Sequence, residues 1–382
     1  MFNKEQVETL AKIVICGGGV GGMAAAIALL RGGHDVQILE QSRQFGRVGA
    51  DVNLTPNAVH ALDRLGASEA LRANAARPTH RISRTWDSGE ETSRLPMSDA
   101  AEARYGAPQL CVHRADLLAA LEALLPEGVL EFGAKVTGVG QDGAAAWVDL
   151  ADGRRIKGDA VIGADGIHSP VRVAMFGPDQ PRFTGLVSWR AVFPRERAGD
   201  IRDLDAFTKW WGPNNDRQIV TFPLTHGQEI FVFATHRQEG WAEEGWTLPG
   251  DLAELRALYA DFHPEARALL DACDSVTRSA LHVREPMEHW SQGRITLLGD
   301  AAHPMVPFMA QGACMAIEDA VVLGRALDGA TPEAIPAALA RYETARIPRT
   351  SEIQRSSLAN DWLRTQGNAD WVYGYQAWSV PV

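Results

Sequence analysis

The sequence predicts an α/β fold into which an antiparallel sheet is inserted and to which a helical C-terminal segment is appended. Three observations predict it. An apolar strand, a glycine-rich turn and an Ala-rich helix open the chain; two later apolar strands end in short Asp-Gly and Gly-Asp motifs; and alternating β-type segments fill the interval between those two strands.

In chain order, KIVIC, GGGVGG, MAAAIALLRGG and HDVQILE read as strand, turn, helix and strand, the start of a βαβ unit. A helix is predicted from Pro56 to Leu65, with proline in its first turn and Gly66 ending it. Another is predicted from Arg114 to Leu125. Valine-rich segments with turns at Gln141 to Gly143 and Asp152 to Gly153 predict hairpins leading into the strand DAVIGADG. From about Phe183 to Pro286, SWRAVF, FTKWW, RQIVTFP and EIFVFATH predict an antiparallel sheet. Trp189, Trp210, Trp211, Trp241 and Trp246 fall in this stretch, either filling its core or offering aromatic contacts. The strand RITLLGD and a helix from Gln311 to Leu327 restore the α/β style, and a mainly helical tail follows. The expected division is therefore discontinuous: 1–75, 105–182 and 287–340 form a nucleotide-binding domain, 76–104 and 183–286 a substrate-binding sheet domain, and 341–382 a C-terminal helical segment.

Composition narrows the function. The 382 residues are 46% hydrophobic and 22% charged, as in a globular enzyme, and the net charge of −11 opposes binding to nucleic acid or an anionic membrane. Cys16, Cys111, Cys273 and Cys314 form no CxxC pair, which argues against a zinc site or a dithiol redox centre and fits a reducing cytoplasm. The polar start MFNKEQVETLAK lacks a secretory pattern, and no apolar run reaches membrane-spanning length. A monomer or homodimer is expected.

Gly17, Gly19 and Gly22 satisfy GxGxxG immediately after a strand and at the mouth of a helix, with Val20 inside the turn. Backbone amides and the helix dipole there can hold a pyrophosphate. Glu40 ends the next strand and Gln41 follows it, where an acid grips an adenosine ribose. A glutamate there disfavours a 2′-phosphate, leaving FAD or NAD. Two further motifs favour FAD. GADGIHSPVR places Asp165 at the end of an apolar strand, and GDAAHPMVPFMAQGACMAIEDA places Asp300 where it can bond a ribityl hydroxyl. The amides of Gly312 and Ala313, at the start of the following helix, can stabilise negative charge on the N1–C2=O edge of a reduced flavin.

With these motifs in this order, the chain resembles the class A flavoprotein monooxygenases, with the 4-hydroxybenzoate hydroxylase-like fold, over nearly its whole length. The segments FGRVGADVNLTPNAV, HPMVPFMAQGACMAIEDA and NADWVYGYQAW look closest to 6-hydroxynicotinate 3-monooxygenases, with salicylate hydroxylases next. The resemblance implies a Rossmann-like FAD-binding domain in which Glu40 binds the adenosine ribose, Arg47 and Arg114 lie along the phosphates and ribityl chain, and Asp300 also holds the cofactor. It implies NADH or NADPH as transient reductant, O₂ as co-substrate, and a flavin 4a-hydroperoxide that attacks a small hydroxylated aromatic or heteroaromatic acid, with CO₂ expelled where the attacked carbon bears the carboxylate. By the same resemblance His303 supports the loop beside the flavin in preference to moving protons, and Pro307 sits against the flavin face. Asn53, Phe207, Gln218, Val220, Phe222 and Phe308 are the expected pocket lining. Asn53 and Phe308 stand where that subfamily implies histidines, so a benzenoid or non-acidic substrate stays open. So does a noncatalytic flavin-binding protein, which substrate-stimulated NADH oxidation would distinguish. The absence of a second dinucleotide motif and of CxxC argues against a disulfide reductase.

Overall fold

The computed structural model describes residues 10–46, 51–241, 245, 247–365 and 367–382, so Arg47 and Trp246 lie outside the described residues. Strand Lys12–Cys16 pairs in parallel with Asp35–Glu40 on one side and Ala160–Gly163 on the other. Ile295–Leu297 and Leu130–Phe132 extend this sheet in parallel, and the short strand Ser291–Gln292 closes one edge antiparallel. Ile13, Val14, Ile15, Val161 and Ile162 are completely buried, as expected of a parallel strand covered on both faces. Helix Val20–Arg31 crosses helix Gly312–Ala326 closely because the contact is made of small residues. A Cβ added at Gly324 would stand 2.7 Å from the Cβ of Ala28, too close for any side chain larger than hydrogen. A three-stranded meander, Val136–Gln141, Ala146–Leu150 and Arg155–Gly158, packs on the same sheet.

The second large sheet runs Leu248–Pro249, Thr277–Val283, Arg182–Pro194, Glu229–Arg237, Gln218–Leu224, Phe207–Trp211, His80–Thr85, Glu91–Pro96. All its neighbours are antiparallel except Phe207–Trp211 with His80–Thr85. Strand alternation gives it two apolar faces. One carries Trp189, Phe193, Trp210 and Ile219 and is covered by Leu255, Tyr259, Phe262 and Leu269. The other carries Leu186, Phe207, Val220, Phe222 and Phe233 and meets Cys111, Val306 and Phe308 from the nucleotide-binding part. A ribbon of Asp51–Leu54 against Leu110–His113 lies at this junction and touches strand Gln218–Leu224.

Most expected elements form where the pattern places them. Helix Pro56–Leu65 ends at Gly66 in the left-handed conformation. The helix expected from Arg114 to Leu125 stops at Glu122, because Pro126 restrains Leu125 from continuing it. The strand expected to begin at Ser188 begins at Arg182, and its register slips between Phe183 and Val187 around Gly185, whose φ is +79°. Two helices, Leu252–Leu258 and Pro264–Asp271, interrupt the stretch expected to be wholly β. Asp251 caps the first and Pro264 opens the second. The tail is the helix Ile335–Ala359 followed by the short helix Asp370–Tyr373. Among the described residues no helix is long and apolar enough to cross a membrane, and no cluster of His, Cys, Asp and Glu is arranged to hold a metal.

Candidate active site

The glycine turn is shaped by close approach. A Cβ at Gly17, which has φ +105°, would lie 2.3 Å from the Ala164 carbonyl oxygen, and one at Gly22 would lie 2.0 Å from that of Gly17. Only glycine fits either place. Gly19 differs: the nearest atom to a Cβ there is Nη2 of Arg114, 3.8 Å away, so the turn and the first amides of helix Val20–Arg31 open onto a cleft. Val20 is itself buried, and the exposed Arg114 stands at the start of its own helix beside this opening. Glu40 is fixed next to the turn by two amides, Gly18 donating to Oε2 at 2.8 Å and Ser42 to Oε1 at 2.8 Å, with the exposed Gln41 between Glu40 and Ser42.

At the other end of the cleft, Asp300 is the one exposed side chain in the run 294–303. It is surrounded by protein yet solvent-facing, which places it in the wall of a groove. Burial raises its carboxyl above the ordinary value, and His303 and Arg114 act in the opposite direction. A Cβ at Gly312 would stand 4.0 Å from Asp300 Oδ1, so the half-exposed start of helix Gly312–Ala326, including Ala313, borders the same groove. Pro307 is exposed at its rim. Phosphate-seeking amides at one end, a carboxylate in the middle and a second helix start at the other suit FAD, and Gly19 leaves the space that a pyrophosphate needs.

Asp165 sits behind the glycine turn, its Cα 3.0 Å from where a Gly17 Cβ would be. One carboxylate oxygen accepts from the Val171 amide at 3.1 Å and the other is buried without a partner. Burial pushes its pKa up to about 6, against hydrogen bonds from Ser169 and the Val171 amide. Arg172, in the same motif but not singled out in the sequence, donates to the carbonyls of Ala301 and Ala302 at 3.1 and 3.2 Å. It thereby ties the Asp-Gly segment to the Gly-Asp segment.

His303 is 2% exposed, and its Nε2 bonds Asp319 at 2.6 Å. Asp319 also accepts from the Gly299 amide at 3.1 Å and from Arg346 Nε at 2.7 Å. This anchors the imidazole under the Gly-Asp turn. Neighbouring Glu318 pairs with Arg346 and Arg349. Gln311 donates to Thr55 at 2.8 Å and accepts from Asn57 at 3.1 Å, which fixes the start of helix Gly312–Ala326 to helix Pro56–Leu65. Sequence reading passed over Glu318 and Asp319, although two acids inside the apolar run ACMAIEDAVVLG signal buried partners.

Four expected lining residues, Phe207, Val220, Phe222 and Phe308, come together in one apolar cluster. All four are buried, with exposures of 5%, 8%, 3% and 8%. Phe207 and Phe222 stack with ring centroids 5.4 Å apart and planes 2° from parallel. Gln218 is on the same sheet face and accepts from Asn360 at 3.4 Å. Asn53 lies on the ribbon; it accepts from Gln109 at 2.6 Å, while its own amide nitrogen and the Gln109 oxygen are buried without partners. Trp189 and Trp210 belong to the far face and fill its core. Lys209 and Arg81, neither singled out in the sequence, share the lining face.

Residues 10–357 match the family model described as FAD binding domain. The chain is 39% identical over 376 residues to a 6-hydroxynicotinate 3-monooxygenase of Bordetella bronchiseptica, covering 97% of each chain. It is 38% identical over 351 residues to a 3-hydroxybenzoate 6-hydroxylase of Polaromonas naphthalenivorans, covering 90% of this chain and 86% of that one. It superposes on the structure of a salicylate hydroxylase substrate complex with a TM-score of 0.83 at 25% identity, covering 97% of each chain. The chain therefore belongs to the FAD binding domain family, as an FAD-dependent monooxygenase of the class A type that acts on aromatic rings.

Proposed function

We propose that this enzyme hydroxylates a small aromatic or heteroaromatic acid that already carries a ring hydroxyl, with NADH or NADPH as reductant and O₂ as the oxygen source. The observation that carries the reading is the aromatic-walled cluster meeting the Pro307–Phe308 loop on one side while Asp300 and the Gly312 helix start open on the other. The names of the relatives, 6-hydroxynicotinate, 3-hydroxybenzoate and salicylate, share one ring bearing a hydroxyl and a carboxylate, which supports that substrate class.

Bound FAD supplies the hydride acceptance and oxygen activation. The protein's part is to hold, orient and dry the reactants. Gly17, Gly19, Val20, Gly22, Glu40, Gln41, Arg47, Arg114, Asp165, Asp300, Gly312 and Ala313 would hold the cofactor. Pro307, Phe308, Asn53, Phe207, Gln218 and Phe222 would shape the ring site, and His303 would position the loop through Asp319. Where the attacked carbon bears the carboxylate, C–C cleavage releases CO₂ as the ring regains aromaticity. Phe308 and Asn53, standing where the resemblance implies histidines, favour a benzenoid ring over a hydroxypyridine. The domain division given above, a reducing cytoplasm and a monomer or homodimer complete the reading. The test is NADH consumption with O₂ uptake across salicylate, hydroxybenzoates and 6-hydroxynicotinate, followed by product mass. Stimulated turnover with one added oxygen is expected, and no stimulation by any acid overturns the reading.

A further inference from the structure

A buried lysine stands in the ring site without a counter-charge. Alternation along Phe207–Trp211 puts Phe207, Lys209 and Trp211 on one face, and Lys209 pairs in register with Val220. Its ammonium lies 5.7 Å from the centre of the Phe308 ring and 3.5 Å from that of Trp211. It thus lies beside Trp211 and beside Phe308, which belongs to the lining cluster, and it is 3% exposed. Its hydrogen-bond acceptor is the neutral Asn360 side chain, at 2.7 Å. Next to it, Arg81 lies with its guanidinium 4.5 Å from the Phe207 ring centre, is 5% exposed and donates to the Tyr373 hydroxyl at 3.3 Å. Among the described residues no carboxylate forms an ion pair with either. The other charged groups acting on Lys209 are Arg364, a cation, and Asp361, an exposed acid. Burial and the two arginines drive the lysine well below its ordinary pKa.

Taking an ammonium out of water without an anion is costly, and a protein of net charge −11 has acids to spare for a structural partner. Two cations gathered against aromatic rings instead supply what a ring acid requires, flat apolar walls and positive charge at the edge. Resting on the reading that the substrate is such an acid, we propose that Lys209 pairs with the substrate carboxylate, Arg81 adding to the positive potential beside Phe207. The incoming anion then provides the counter-charge and restores the lysine to its charged form.

The test is a titration of the flavin absorbance of the holoenzyme with salicylate and with phenol, and with 6-hydroxynicotinate and 2-hydroxypyridine, for wild type, Lys209→Met and Lys209→Arg. Losing one partner of a desolvated charge pair predicts that Lys209→Met weakens binding of the preferred acid by about 30-fold or more. The matching neutral ring should bind the Met variant as well as wild type. Lys209→Arg should recover most of the acid affinity. The Met variant should melt no lower than wild type, since it replaces a buried amine that has no counter-charge with an apolar side chain. Equal acid affinity in wild type and Lys209→Met overturns the proposal. So does parallel loss of acid and neutral ligand with a lowered melting point, which marks a structural lysine. Wild type that binds neither acid overturns the substrate class itself, and a Met variant that discriminates normally in an enzyme that binds acids overturns Lys209 alone.

Discussion

Asp300 illustrates how a single carboxylate is held at a groove between buried neighbours. Gly299 on one side and Ala301 on the other are buried, so the carboxylate alone reaches the groove, and Arg114 from a distant helix and His303 from the next turn favour its charged form. A hydrogen bond donated to a charged acceptor is worth about 1.5–3 kcal/mol, so Asp300→Ala should weaken FAD binding by about tenfold or more. Asp300→Asn, which keeps an acceptor, should lose less. Flavin retained after dialysis measures this, and full retention in the Ala variant would remove Asp300 from the cofactor site. The place of Asp300 just after a buried strand was legible in the sequence because spacing relative to a strand end fixes it. Lys209 was not, because lysine in FTKWW reads as the polar member of an edge strand. The alternation that puts it beside Phe207 and Trp211 was on view, but the loop carrying Phe308 arrives from a hundred residues away, and no local pattern announces that meeting.

Two helices are joined beneath the site by ions. Arg346 and Arg349 on helix Ile335–Ala359 bind Asp319 and Glu318 on helix Gly312–Ala326, with Arg346, Asp319 and Glu318 all at zero exposure. Burial by itself would raise the Asp319 carboxyl, yet His303 and Arg346 keep it below its ordinary value. Removing one member leaves the others charged and unpaired. Asp319→Ala should therefore destabilise the holoenzyme by about 3–5 kcal/mol, seen as a shift in the denaturant midpoint. A change below about 1 kcal/mol would show that solvent or a rearranged partner replaces the carboxylate. At this scale the sequence was a good guide where proline and glycine punctuate a helix, as at Pro56 and Gly66. It was a poor one for Leu252–Leu258 and Pro264–Asp271, whose caps are present but lie in a stretch dominated by strand-like neighbours. What holds the helix pair together was hidden because an ion pair's partners lie 27 to 31 residues apart.

The whole molecule turns on the junction between the parallel sheet's side and the large mixed sheet. The interleaving of α/β and β-rich stretches was legible, since each has its own hydrophobic period. The parallel pairing of Phe207–Trp211 with His80–Thr85 was not, because pairing between strands so distant in sequence leaves no local mark. At that junction Asp51 begins the ribbon, pairs in register with His113 and feels Arg190 of the large sheet. Burial pushes its pKa up to about 7 from an ordinary 3.8, despite the lowering effect of Arg190 and His113. Between about pH 4 and 7 the folded protein thus keeps a proton that the unfolded chain has released, so this stabilisation is complete at the acid end and lost as the pH rises through 7. Asn in place of Asp51 mimics the protonated form at every pH. The melting temperature of wild type minus that of Asp51→Asn should therefore fall as the pH is raised from about 5 to 8. Asp165 and Asp300, also raised by burial, are common to both proteins and cancel in the difference. A difference that stays flat over that range would mean that Asp51 is ionised throughout and that Arg190, with His113, offsets its burial completely.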